Sequence, residues 1–405
     1  MKDDYNLHLS LATCITGEKD IFLYNVRGIK VEEIDISKGF YFVRQNKGKI
    51  AKISQHSDIK PDKGEELLFR IRKSKNNNYS IESPICKKME NNKKCISNLN
   101  NKLWYILKSS SNKNRSNNIE NYILNKYDII KIGDSKYEII EKNIEEKDNN
   151  EENDYDDNNI NYLDLNDQYN ISKNNKSESI FNITKIKKAD YKNENENNLC
   201  RICLDGSSSI ENPKLILCNC HDFIHYQCLK AWIKTKLIKR QNPKKTVNSY
   251  ILKKFNCEVC LKPYPLKFEI PEIKKQYYLI DLPIPIGQNY IILESLGIFL
   301  DNNEVKMIHI VKLTDEFITI GRKEYSDIMD NNYHISKEHA IIKYNKKNGD
   351  VILENRSQNF DTLVLVKKPI IIKEKEIDLQ IGKTIITANL INNKLINTYP
   401  FSYLQ

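Results

Sequence analysis

Four close pairs of soft ligands stand in one stretch of this 405-residue chain. They read Cys200-Arg-Ile-Cys203, Cys218-Asn-Cys220, His225-Tyr-Gln-Cys228 and Cys257-Glu-Val-Cys260. Seven of the ten cysteines and two of the seven histidines fall within these 61 residues, and the four pairs use one of those histidines. Two residues between cysteines let a tight turn aim both sulfurs at one metal ion, and thiolates with one imidazole complete a tetrahedral set. Eight ligands make two structural zinc ions. Their order predicts interleaved sites, with Cys200, Cys203, His225 and Cys228 on the first zinc and Cys218, Cys220, Cys257 and Cys260 on the second. Buried thiols or disulfides are the competing account, but eight ligands at zinc spacing rarely arise by accident. His221 is the one rival to His225, and only His225 stands in a His-x-x-Cys pair.

The stretch resembles the RING-CH zinc finger, through Cys-Arg-Ile-Cys-Leu-Asp at 200–205, Cys-Leu-Lys-Ala-Trp at 228–232, and Cys-Glu-Val-Cys followed by Pro263 and Tyr264. That resemblance implies a cross-braced α+β finger, ubiquitin ligation, and a shallow apolar groove of Ile202, Trp232 and Pro263 for a ubiquitin-conjugating enzyme. The PHD finger shares the ligand order. One residue between Cys218 and Cys220, and Trp232 after the sixth ligand, speak against it, whereas Phe255 occupies the place of its aromatic. Two departures from RING-CH stand out. The gap from Cys220 to His225 is short, and the gap from Cys228 to Cys257 spans 28 unusually basic residues.

A second chemistry is written near the C-terminus. It reads Phe317-Ile-Thr-Ile-Gly321-Arg322, then Ile335-Ser336-Lys337-Glu-His339-Ala, then Asn355-Arg-Ser357-Gln-Asn359-Phe360-Asp361-Thr362. A phosphate carries close to two charges at neutral pH and takes charge-assisted donors. A guanidinium, a hydroxyl and an ammonium from two loops supply them. These residues resemble the forkhead-associated (FHA) domain. The resemblance implies that Arg322, Ser336 and Lys337 grip phosphothreonine, that Asn359 adds a contact, that Gly321 allows a tight turn, and that His339 braces the loops from beneath. Phe360 and Asp361 depart from the family, which usually has Gly before Thr362, and an Asp there would repel phosphate.

The elements that carry these residues read as a multidomain, mainly β protein. Residues 1–145 form a β-rich module, with strand-like runs at 21–24, 40–43, 66–71 and 103–107. Within Tyr122–Glu141, two alternating runs flank Gly133, as a hairpin would. This segment resembles the closing strands of an FHA domain, although the Gly-Arg and Ser-x-x-His signatures are missing from the N-terminal module. Residues 146–198 form a low-complexity linker, with nine acidic residues and one basic between Glu145 and Asp164. Such a stretch cannot offset roughly 1–2 kcal/mol of backbone entropy per residue, so disorder is expected.

The zinc finger covers 199–264. Leu229, Trp232, Ile233 and Leu237 predict a helix from Cys228, ended by Asn242-Pro243, with a loop or short second helix to about Phe255. Residues 264–274 read as a connector. Residues 275–400 carry many short strands, as a sandwich would.

The formal net charge is +10, and residues 199–262 hold 12 Lys or Arg against 4 Asp or Glu. Seven thiolates and two zinc ions bring that segment to about +5. A solvated basic face is the first account, and an acidic partner such as nucleic acid the second. No run of 18 apolar residues exists and no signal-peptide core opens the chain, so no membrane span is expected. Zinc thiolates beside loose Cys14, Cys86 and Cys95 fit a reducing compartment, cytoplasmic or nuclear. The expected partners are a conjugating enzyme and a phosphothreonine-containing protein. The expectation is a ligase with no covalent catalytic residue, and the alternative is a non-enzymatic phospho-dependent scaffold.

Overall fold

A computed structural model describes residues 5–14, 29–36, 40–44, 50–54, 66–74, 78–83, 99, 102–109, 121–144, 183–185, 198–252, 255–270, 274–296, 298–300, 303–357, 361–372 and 376–392. The run at 21–24, Cys86, Cys95, Asn359, Phe360 and most of the linker lie outside them.

Among the described residues, the N-terminal part supplies ten strands. They are β1 (Tyr5–Cys14), β2 (Ile29–Ile36), β3 (Phe40–Arg44), β4 (Ile50–Ser54), β5 (Glu66–Lys73), β6 (Tyr79–Glu82), β7 (Leu103–Leu107), β8 (Tyr122–Ile123), β9 (Ile129–Ile132) and β10 (Ser135–Asn143). In β1 the alternation is plain: Leu7, Leu9 and Leu11 are buried, while His8 and Ser10 turn to the other face.

The middle part runs from β11 (Ile183–Lys185) through β12 (Lys214–Leu215), β13 (Ile224–His225), α1 (Tyr226–Lys236), β14 (Ile238–Gln241) and β15 (Val247–Leu252) to β16 (Lys267–Ile270) and β17 (Lys275–Tyr278). Two sequence expectations are corrected here. The helix ends at Lys236, and Asn242-Pro243 instead sits in the turn of an antiparallel hairpin, β14–β15. The basic gap is therefore neither a loop nor a second helix. The connector is also structured, because β16 pairs with β17 and, in parallel, with β11 from inside the expected linker.

The C-terminal part supplies β18 (Tyr290–Ser295), β19 (Ile298–Leu300), β20 (Asn303–Lys312), β21 (Ile318–Gly321), β22 (Ile328–Met329), β23 (Ala340–Asn345), β24 (Asp350–Asn355), β25 (Thr362–Leu365), β26 (Ile370–Ile372), β27 (Ile377–Ile381) and β28 (Thr384–Asn392).

These strands build two sandwiches with one topology. The first packs β2-β1-β28-β27-β7 against β4-β3-β5-β6-β26. The second packs β20-β18-β10-β9-β25 against β22-β21-β23-β24-β8. Matched in chain order, the strands correspond one to one, except that the last three of each set have changed hosts. The N-terminal hairpin β9–β10 closes the C-terminal sandwich, and β27–β28 closes the N-terminal one. A division at residue 145 therefore does not separate the two sandwiches. Both hairpins turn on Gly in the left-handed region: Gly133 between Ile132 and Asp134, and Gly382 between Ile381 and Lys383. The match is not complete, since β3–β4 is antiparallel and β21–β22 parallel.

Burial holds each hairpin in its host. Ile130, Ile132, Tyr137 and Ile139 lie in the core of the second sandwich, and Leu379, Ile381, Ile386 and Ala388 in that of the first. Full burial of a large apolar side chain is worth about 1.5–3 kcal/mol, so neither hairpin leaves without a large loss. At the junction β7 and β25 pair antiparallel, which merges the two sheets into one. The merged sheet continues past β20 into β15 and β14.

Candidate metal centre and phosphate-facing loops

The first and last ligand pairs are built alike. Leu204 N–H donates to the Cys200 carbonyl at 2.8 Å, and Leu261 N–H donates to the Cys257 carbonyl at 2.9 Å. Cys200 N–H then reaches the Asp205 carbonyl, and Cys257 N–H the Lys262 carbonyl. Leu204 and Leu261 both sit at positive φ, 61° and 59°. Each turn thus folds back on itself and throws two sulfurs to one side.

The eight ligands gather into two groups, Cys200–Cys203–His225–Cys228 and Cys218–Cys220–Cys257–Cys260. Within each group the ligand atoms lie within 4.8 Å of one another. This is the interleaved arrangement, with His221 exposed and outside both groups. His225 precedes α1. Its Nε2 donates to the Ser207 carbonyl at 2.5 Å, which leaves Nδ1 facing Cys203 Sγ at 3.2 Å. A backbone acceptor on the far nitrogen fixes the ring as a metal-ligating histidine requires. Arg201 links the groups by donating from Nη1 toward Cys257 Sγ at 3.5 Å.

The thiols are pulled in opposite directions by their surroundings. Burial raises the Cys257 pKa, but the backbone N–H groups of Cys260 and Val259, the Tyr264 hydroxyl and Arg201 together bring it down to about 5. Burial and the neighbouring thiols push Cys228 up to about 12. Four soft donors that crowd one another fit a tetrahedral dication, and each group can hold one.

Ile202 is exposed, Pro263 is exposed, and Trp232 is half-buried with its ring edge-on to Tyr264 at 6.1 Å. Sequence reasoning missed three apolar residues on the same turns: Leu204, Val259 and Leu261, all about 70% exposed. The helix buries Tyr226, Leu229 and Ile233. These join one core with Phe268, Tyr277 and Tyr278 from β16–β17 and Tyr290, Ile292, Ile308 and Ile310 from the second sandwich.

On that sandwich, Gly321 ends β21 and Arg322 follows, exposed. Arg322 N–H donates to the Ser336 carbonyl at 3.0 Å, and Lys323 N–H to that of Lys337 at 3.2 Å. The two loops that carry Arg322, Ser336 and Lys337 are thereby held side by side. Gly321 is needed for close approach rather than for turning: a Cβ there would lie 2.3 Å from the Lys337 carbonyl oxygen. His339 is fully buried; its Nδ1 accepts from Ser336 N–H at 3.1 Å, and its Nε2 faces the Asp361 carbonyl at 3.4 Å. Burial lowers its pKa to about 4, so the ring is neutral at pH 7. Ser336 Oγ contacts Ser357 Oγ at 2.6 Å; Ser357 N–H donates to Asn355 Oδ1; and Asn355 Nδ2 donates to the Leu107 carbonyl of β7.

The FHA domain family matches residues 318–386. A stretch of 47 residues is 45% identical to a protein described as probable E3 ubiquitin-protein ligase MARCHF10 from Homo sapiens, covering 11% of this chain and 6% of that protein. No solved structure matches the chain. Among the described residues, no helix is long and apolar enough to cross a membrane. The chain carries an FHA domain in its C-terminal part and, at residues 200–260, two Cys/His clusters that fit a RING-CH finger.

Proposed function

We propose that this chain is a RING-CH-type ubiquitin ligase that recruits phosphothreonine-containing proteins through its FHA domain. The observation that carries the reading is the pair of interleaved ligand groups packed into one core with the FHA sandwich. Thiolates with one imidazole favour zinc, and eight protein ligands leave no open position for water, so both ions are structural. Ile202, Trp232 and Pro263 dock the conjugating enzyme. Arg322, Ser336 and Lys337, with Asn359, take the phosphate; Gly321 and His339 hold the loops that present them. The reaction needs no nucleophile from this chain. Holding a charged conjugating enzyme near a target lysine supplies proximity and orientation.

The test is ubiquitin chain formation by the full zinc-loaded chain with a panel of conjugating enzymes. Ile202→Ala with Trp232→Ala should abolish it with zinc content unchanged. No activity with any enzyme of the panel removes the ligase reading.

A second reading is a phospho-dependent scaffold. It is favoured by Leu261 directly after the last ligand, where many active RING ligases place a basic residue, with Lys262 one position later. A scaffold keeps its partners when Ile202 and Trp232 are replaced. For either reading, Arg322→Ala should abolish the preference for phosphothreonine peptides over plain ones.

A further inference from the structure

The basic gap between Cys228 and Cys257 reaches across to the loop that carries Arg322. Its hairpin β14–β15 adds to the FHA sheet through β15, which pairs with β20 from Val247↔Val311 to Leu252↔Lys306. From β14, Arg240 Nη2 donates to the carbonyl oxygens of Glu324 at 2.6 Å and Ser326 at 3.0 Å. From the hairpin turn, buried Asn242 donates from Nδ2 to Asp327 Oδ1 at 2.6 Å. The other oxygen of Asp327 accepts from Thr319 N–H and Oγ1. On its other side the loop is tied to the Ser336 and Lys337 carbonyls through Arg322 N–H and Lys323 N–H. The segment from Arg322 to Asp327 is therefore clamped between the FHA loops and a hairpin that belongs to the metal-binding module.

We infer that Arg240 is a positioning residue for the phosphate site, supplied by the zinc module, and this rests on the phosphothreonine reading of that site. A loop backbone held at two carbonyls keeps the Arg322 side chain near the Ser336 and Lys337 donors before ligand arrives, which lowers the ordering cost of binding. Charge alone does not single Arg240 out. Lys239, its neighbour on β14, is exposed, and its Nζ lies over the Tyr250 ring at 6.0 Å. Lys239 thus serves as a control of equal charge without loop carbonyls.

The experiment measures binding of a degenerate phosphothreonine peptide pool and its unphosphorylated counterpart to the full zinc-loaded chain. Wild type, Arg240→Ala, Arg240→Lys and Lys239→Ala are compared, with metal content and melting temperature recorded for each. Arg240→Ala should bind the phosphorylated pool about tenfold more weakly, as expected for losing charged hydrogen bonds that preorganise a site. Arg240→Lys should fall between Ala and wild type, and Lys239→Ala should bind as wild type does. Amide exchange should quicken between Lys323 and Asp327 in both Arg240 variants.

Equal binding by Arg240→Ala and wild type overturns the inference, as does an equal loss in Lys239→Ala, which would make the effect one of charge. If Arg240→Ala loses its metal or its fold, Arg240→Lys decides, and binding indistinguishable from wild type overturns the inference. A wild-type chain that does not distinguish the two pools removes the phosphothreonine reading and this inference with it. A wild type that does so, beside an unaffected Arg240→Ala, removes this inference alone.

Discussion

Asp134 Oδ2 lies 2.7 Å from His334 Nδ1, although 200 residues separate them in the chain. One residue earlier, Gly133 passes so close to the His334 carbonyl that a Cβ would lie 2.3 Å from its oxygen. The turn that closes the N-terminal hairpin is thus seated against the loop that runs on to Ser336. Tyr137 on the same hairpin donates its hydroxyl to Asp330 at 2.5 Å, and Asp330 N–H ties back to the Gly321 carbonyl. The exchange of closing strands makes the loops that carry Arg322, Ser336 and Lys337 depend on the N-terminal part of the chain.

A truncated chain tests that dependence. Removing residues 1–144 strips β8, β9 and β10 from the second sandwich while leaving the whole FHA match in place. The remaining chain should melt well below the full protein and bind phosphothreonine peptides poorly. Adding residues 121–144 as a separate peptide should raise both. Asp134→Ala is the milder probe. Its contact with His334 is partly exposed, so the loss should be no more than about 1 kcal/mol, with faster amide exchange confined to the loop at 332–338. A truncated chain as stable as the full one would show that β27–β28 can close its own sandwich.

The two glycines packed against the loops that carry His334 and Lys337 should fail differently. Gly321→Ala meets the Lys337 carbonyl without a demand on φ, so it acts by steric overlap alone. Overpacking of this kind costs about 1–3 kcal/mol, and it should separate the two loops and weaken phosphopeptide binding. Gly133→Ala combines the same close contact with φ of +58°. It should cost more stability than Gly321→Ala, with cooperative unfolding shifted to lower denaturant. Equal midpoints for the two variants would mean the turn adjusts.

The ligands were readable because each pair is local in sequence. Cys200 with Cys203, and Cys257 with Cys260, need only one turn each, and one turn is what residue spacing encodes. Individual strands were readable for a similar reason, and β3, β5, β7 and β9 stand close to where alternation places them. Their partners were not. Alternation tells which face of a strand is buried but not which strand lies beside it, so Ile132 opposite Thr362 has no signature in sequence. Residues 29–36 and 238–241 were hidden by charge, since Glu32, Glu33, Lys239 and Arg240 mask strands that lie at sheet edges. In β27, Asp378 and Gln380 interrupt the apolar pattern, yet both are buried. Asp378 accepts from Thr387 Oγ1, and Gln380 donates to the Gly382 carbonyl. Strand β1 could have been found, because Leu7, Leu9 and Leu11 alternate cleanly.

Metal removal should reach beyond the finger. Cys200, Cys218 and Cys257 share one core with Phe268, Tyr290 and Ile308, so loss of the ions exposes residues that pack on the second sandwich. Chelation is expected to release two equivalents of zinc. It should speed amide exchange in α1 and in β14–β15 together, because the hairpin hangs between the finger and β20. Cys257→Ser should act like chelation of one site, since a serine hydroxyl is a poor substitute for a thiolate. A finger that melts while β14–β15 keeps its protection would show that the sandwich holds the hairpin unaided.

Two buried histidines set an acid limit on stability. His339 accepts from Ser336 N–H beneath the loop that carries Ser336 and Lys337. His309 lies at the centre of the second sandwich, with Ser249 Oγ at 2.8 Å from Nδ1 and the Tyr137 ring 5.8 Å away. Burial lowers both pKa values to about 4, against about 6.5 for a free imidazole. As pH falls from 6.5 toward 4, the unfolded chain takes up these protons and the folded chain does not. Stability contributed by the neutral rings is therefore complete above pH 6.5 and declines through that window, by up to about 1.4 kcal/mol per pH unit for each ring. Buried Glu138 and Glu294 shift the other way, because burial raises their pKa values and acid favours their folded form. A comparison with His309→Gln isolates the imidazole. The wild-type urea midpoint should fall more steeply than that of the variant between pH 6.5 and 4, and parallel slopes would mean that His309 protonates without disturbing the fold.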